Sequence, residues 1–218
     1  MLSSRNQMDG FTLIELLIVI SIIGVLAAVL LPQIIGSQDA ANSASDARQL
    51  STHATWHEFY KQRHNGALPM EGGVRFVIAT WKVTQQTAED LDKYFSPGAR
   101  DNDAHYQALR MQLLRGEKIW PDLNSVGADD TTYAGRAREH IKSSTQTGNE
   151  ALLASANNGM WTLRDGSVNI LLSSGQVRSL SYDMMQELYS LGDRDVSNPI
   201  QTHGPNSPIP ECRKLQFP

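Results

Sequence analysis

One cysteine stands in 218 residues, and that scarcity excludes two things. A lone Cys212 cannot close a disulfide within its own chain. Nor can it join other thiolates of the chain around a metal. It lies in a Pro-rich stretch, and a free thiol and an intermolecular role both stay open. Cationic surplus is also missing. Lys and Arg number 19 against 23 Asp and Glu, giving a formal net charge of −4. No basic excess is available to displace counterions from phosphates, so nucleic acid is not an expected partner. No Ser-His-Asp spacing, glycine-rich phosphate loop or nucleophile elbow stands out. The expectation is a protein that is not an enzyme and holds no cofactor or metal.

Apolar residues are present in quantity and concentrated. Residues 11–35 read FTLIELLIVISIIGVLAAVLLPQII, with Glu15 as the one ionisable group. As a helix this run is about 37 Å long, enough to cross a hydrocarbon core of about 30 Å with some tilt. A secretory signal peptide would have a shorter apolar stretch followed by a small-residue cleavage site. Here Val29, Leu30 and Leu31 continue the run beyond Ala27 and Ala28. A core helix would show one apolar face, whereas this segment is apolar all round. Arg5 and the terminal amine favour a cytoplasmic N-terminus. Glu15 costs a few kcal/mol inside the run unless it finds a partner or snorkels to the interface, and both readings stay open on composition.

Gly10-Phe-Thr-Leu-Ile-Glu15, followed by the long apolar run, resembles the prepilin cleavage and methylation signature shared by type IV pilins and type II secretion pseudopilins. The resemblance covers residues 5–35. It implies cleavage between Gly10 and Phe11 by prepilin peptidase and N-methylation of Phe11. It also implies pairing of Glu15 with the N-terminal ammonium of a neighbouring subunit. Two opposite charges, each costly alone in a low-dielectric bundle, become tolerable when they meet. Pro32 matches a proline common in pilin helices and removes one backbone donor, which predicts a kink there. The leader departs from the pattern in carrying few basic residues and Asp9 beside the cleavage glycine.

The implied fold class is α+β: a pilin-like long N-terminal helix packed against a small head of short helices and an antiparallel sheet. The expected divisions are a leader at 1–10, a transmembrane helix at 11–35, an amphipathic continuation at 36–64, a periplasmic head at 65–193 and an extended or disordered tail at 194–218. Ala40, Ala41, Ala44, Ala47, Leu50, Ala54 and Phe59 form the stripe that predicts the continuation. With it, the helix would run about 80 Å over residues 11–64. Asn65-Gly66 predicts its stop. Residues 74–81 (VRFVIATW) read as a strand from their β-branched and aromatic content. Thr87 and Asp103 read as helix N-caps, and Gly116 as a stop. Residues 117–135 read as a loop-rich excursion. Residues 167–180 read as a hairpin turning at Ser173-Ser174-Gly175. A short helix follows over 182–191. Five prolines lie in 195–218, and such a segment has little means to bury a core. The stretch from Tyr133 to Arg178 resembles the C-terminal end of a broad group of pilin-like proteins. Ser174 stands where their turn usually has an aspartate, and Leu163 where a histidine often precedes the hairpin.

Remaining candidate chemistry is sparse. His53 and His57 are spaced i, i+4 on the predicted helix, a spacing that suits a metal. No glutamate follows His53 directly, so the zincin pattern is absent, and a wet helix face is the expected setting. Asp101, Asn102, Asp103, Asp122, Asn124, Asp129 and Asp130 offer oxygens but no dense calcium loop; turn and cap chemistry is the expected use. Trp56, Trp81, Trp120 and Trp161 are expected in core packing or subunit contacts.

The resemblance implies a structural subunit of a type II secretion pseudopilus or related filament. Its partners would be prepilin peptidase, other pilin or pseudopilin subunits, an inner-membrane assembly platform and membrane lipid. Its place would be the bacterial inner membrane as a single-pass protein, N-terminus cytoplasmic and head periplasmic. An adhesive or ligand-binding minor type IV pilin is the alternative. A membrane-anchored metal-dependent enzyme stands third.

Overall fold

The computed structural model describes residues 12–141, 149–155, 160–161, 167–191 and 200–216. The chain divides into two compact units, Met1–Gln38 and Asp39–Pro218. Helix α1, Leu13–Arg63, contributes to both.

In the first unit the helix opens on a capping box. Thr12 N and Oγ1 both donate to Glu15 Oε2, at 2.9 and 2.7 Å, while Glu15 N donates to Thr12 Oγ1 at 3.3 Å. Two of the donors that a helix start leaves orphaned are thereby satisfied. From Leu13 to Leu31 every large apolar side chain is exposed, and this 19-residue stretch is long and apolar enough to cross a membrane. Pro32 falls inside the bounds of α1, where the helix is assigned without a break.

The second unit is α+β. Along α1, Asp46, Gln49, Leu50, His53, Trp56 and His57 are buried, while Arg48, Ser51, Thr55 and Glu58 are exposed. That three-and-four spacing is one helical face laid on a core. Short helices follow: α2 Val74–Ile78, α3 Ala88–Leu91, α4 Pro97–Arg100 and α5 Ala104–Leu114. Thr87 caps α3 with a complete box to Asp90, and Asp103 Oδ1 accepts from Tyr106 N at 3.0 Å to cap α5. Asn65 and Gly66 take positive φ just past α1, and Gly116 does so past α5, where the sequence placed the stops.

Residues 74–81 are not the expected strand. They form α2 and a 3-10 turn, Ala79–Val83. Val74, Phe76, Val77 and Ile78 are all buried, so the run lacks the period of two that a half-buried strand needs. Burial on every side suits a short core helix equally well, and tertiary packing overrides the β-branched preference.

The strands are β1 Tyr133–Arg136, β2 Ala151–Ser155, β3 Met160–Trp161, β4 Ser167–Leu172 and β5 Val177–Ser181. Helix α6, Tyr182–Tyr189, comes next, then β6 Ile200–Gln201 and β7 Leu215–Gln216. Five of the strands form an antiparallel sheet in the order β5-β4-β2-β1-β7, while β3 pairs with β6. The β4–β5 hairpin turns at Ser173-Ser174-Gly175, with Gly175 at φ +83°. Alternation sends side chains to two cores. Tyr133, Leu153 and Leu171 join α1, α2 and α5 in the larger one. Ala134, Ala154, Ile170 and Leu180 join α6 in the smaller. The two cores therefore lie on opposite faces of the sheet.

The C-terminal segment corrects the expectation of an extended tail. Ile209, Cys212 and Leu215 are buried in the smaller core. Strand β7 pairs with β1, Arg136 opposite Leu215, and Ala137 N donates to Lys214 O at 2.9 Å. The prolines here shape turns around a few deep apolar anchors instead of forbidding a core.

Candidate functional site

Gly10 and Phe11, the proposed cleavage pair, lie outside the described residues. Glu15 is on the first turn of α1, exposed, with Oε2 engaged by Thr12. Pro32 is on the same helix, 17 residues further along the chain. Sequence reasoning missed Thr12. Its signal was legible: Thr12 and Glu15 make the S/T-x-x-E pattern of a capping box.

The histidine pair is not on a wet face, which corrects the sequence expectation. His53 and His57 are both fully buried. His53 Nε2 donates to Lys93 O at 2.9 Å, and its ring stands edge-on to Trp56, Tyr94 and Tyr133. His57 packs edge-on to Phe76, and neither of its ring nitrogens has a hydrogen-bond partner among the described residues. Loss of water pushes His53 down to about 4 and His57 to about 3, so both are neutral at physiological pH. Among the described residues no three His, Cys, Asp or Glu side chains stand together as a metal would require.

Around the pair runs a buried polar band that ties α1 to the sheet. Tyr133 donates its phenolic proton to Asp46 Oδ1 at 2.6 Å. The phenol has one proton, so Gln49 presents its amide N–H to that oxygen at 2.7 Å. The same amide nitrogen donates to Phe95 O at 3.1 Å, and its oxygen accepts from Arg100. Burial pushes the Asp46 carboxyl up to about 6 against the opposing pull of Tyr133, Ser96 and Arg100. Further along, Asn169 Nδ2 donates to Ser43 O at 3.0 Å and Ser167 donates to Ser43 Oγ at 2.6 Å. These contacts hold α1 on the sheet.

The oxygen-rich stretches are spent on turns. Asp122 Oδ1 accepts from Asn124 N at 2.6 Å and Ser125 N at 3.1 Å. Asp130 accepts from Trp120 Nε1 at 2.7 Å, His105 Nε2 at 2.8 Å and Gly127 N at 2.6 Å. Trp56, Trp81 and Trp120 cluster around Tyr94 with centroid separations of 5.3 to 5.6 Å. The Trp161 side chain lies outside the described residues. Cys212 is buried, and burial raises its thiol well above the ordinary range, which leaves it unreactive. One open groove, about 670 Å³, runs beside α1 between Trp56, Phe59, Val83 and Glu89.

The chain matches the prokaryotic N-terminal methylation motif over residues 5–31. It is similar to the type IV wide pilus major component PilA4 of Thermus thermophilus, at 45% identity over 61 residues. That alignment covers 28% of this chain and 46% of the relative, so the chain spans about half the length of the curated relative it matches. No solved structure matches it. The motif, the relative and the exposed apolar helix, followed in the chain by an α+β unit, point the same way: the chain carries an N-terminal methylation motif and is similar, over part of its length, to a type IV pilin.

Proposed function

We propose that the chain is a filament subunit made as a precursor. Prepilin peptidase cuts between Gly10 and Phe11, the new Phe11 amine is methylated, and an inner-membrane platform assembles the product. The observation that carries the reading is the motif match over 5–31, coinciding with a helix whose Leu13–Leu31 stretch is apolar and unpartnered. Cleavage turns a polar leader into an apolar end bearing one ammonium. Glu15 is the one carboxylate within reach of such an end in a packed bundle of these helices. Thr12 engages Oε2, and the pairing with a neighbour's ammonium uses the other oxygen. The head remains on the far side of the inner membrane, in the periplasm.

A type II secretion pseudopilus or related filament is the assembly we assign. The lone, buried Cys212 supports it, because no disulfide can close a C-terminal loop of the kind common in type IV pilins. A second reading, a minor pilin that displays a ligand-binding head, has the groove beside Trp56 and Phe59 in its favour. Glu15→Leu tests the filament reading. The variant inserts in the membrane normally but its yield in sheared filaments falls at least tenfold. Wild-type filament yield from Glu15→Leu would remove the charge-pairing role.

A further inference from the structure

We propose that the exposed face of α5 on one copy docks on the exposed face of α6 on the next, forming a head-to-tail contact between copies of this chain. The inference rests on the filament reading and adds the surface by which the heads meet. Each helix leaves an apolar pair uncovered. On α5, Met111 is 49% and Leu114 61% exposed. On α6, Met184 is 45% and Leu188 54% exposed. The spacings, i,i+3 and i,i+4, put each pair on one side of its helix. The inward sides are already used: Tyr106 and Leu109 of α5 in the larger core, Tyr182 and Met185 of α6 in the smaller.

Charge decides the occupant. The exposed pair on α6 is bordered by Asp183 and Glu187, and the helix carries no basic residue. The pair on α5 is followed by Arg115 and Lys118, both exposed. Arg115 lies 3.8 Å from Glu117, a loose pair with both partners more than half exposed, so its charge is not consumed. Docking α6 on its own copy would set four carboxylates together, and α5 on α5 would gather cations. Only α5 on α6 brings opposite charges around the two apolar pairs. The two faces sit over cores on opposite sides of the sheet, so one copy can use both at once. A contact between two different patches does not close as a pair of copies; it propagates from copy to copy, and along a filament it gives an open array. Two faces of this size bury less than the roughly 1,200 Å² of a stable pair. The contact therefore forms where the N-terminal helices already concentrate the copies.

The test is cross-linking of the full chain in its own host. Met111→Cys and Leu188→Cys are placed together; both sites are exposed, and the native Cys212 is buried. A short bismaleimide is applied to membranes and to sedimented polymer. The expected result is a ladder of dimers, trimers and higher species from the double variant and none from either single variant. Glu187→Lys lowers the ladder yield at least threefold, and adding Lys118→Glu restores it. Polymer that sediments normally yet stays monomeric after cross-linking overturns the contact, as does dimer formation by Leu188→Cys alone. Failure of the filament reading is read separately. A ladder in membranes of cells whose unmodified chain yields no polymer keeps the contact and rejects the filament; no ladder and no polymer rejects both.

Discussion

A side chain at Gly135 would meet the carbonyl oxygen of Gly73, which is backbone and cannot swing aside. The approach is part of how β1 docks on α2, since Gly73 N donates to Arg136 O at 2.9 Å. Gly135→Ala therefore destabilises the head by about 1–3 kcal/mol, as overpacking of a filled site does. Urea denaturation checks this, and an unchanged midpoint would contradict it. His53 and His57, two of the three buried imidazoles among the described residues, make a second prediction at this scale. Both are held below their ordinary value of 6.5, so their contribution is full above that pH and is lost as pH falls towards about 4 for His53 and about 3 for His57. Asp46 runs the other way. Its carboxyl is raised to about 6, so its contribution is full below 3.8 and is lost as pH rises through 6. The thermal midpoint of the wild type falls between about pH 7 and about pH 4.5. In His57→Leu it falls less, because one buried imidazole no longer resists protonation. In Asp46→Asn it falls more, because a group that gains from acid is gone. Equal slopes in the three proteins would refute the assignment.

Among the elements, the C-terminal segment carries more of the fold than its composition announces. Deleting residues 209–218 removes Ile209, Cys212 and Leu215 from the smaller core and leaves β1 an open edge. A buried large apolar residue is worth about 2–5 kcal/mol when cut to alanine, so the truncated head is digested by protease far faster than the full chain. Equal digestion rates would show that the segment is dispensable. Legibility differed by element for physical reasons. The apolar run, the caps at Thr87 and Asp103 and the β4–β5 hairpin announce themselves through local chemistry that depends on a few neighbouring residues. Residues 74–81 were misread because a short run buried on all sides has no period to reveal. The C-terminal segment was misread because Ile209, Cys212 and Leu215 are anchors spaced three apart among prolines, and their pairing partner, β1, lies far away in sequence. The histidine pair looked exposed for a related reason. Nothing in the sequence says which face of α1 the head covers, and the covered face is the one that carries Asp46, His53 and His57.

At the largest scale, the chain combines an exposed apolar helical stretch, Leu13–Leu31, with an α+β unit that has two cores. The head's buried polar groups serve docking: Tyr133 to Asp46, Asn169 to Ser43, and Arg136, itself buried, to Glu150 at 2.5 Å. Lys214 also reaches Glu150, at 2.9 Å, fastening the C-terminal end to the start of β2. Those pairs hold the unit in one shape, as the proposed filament subunit requires. Processing of the N-terminus is the step on which the filament reading depends. Mass spectrometry of the mature protein tests it most directly. The predicted result is a chain beginning at Phe11 and carrying one added methyl on its amine. A chain that still begins at Met1, in cells with active prepilin peptidase, would contradict it.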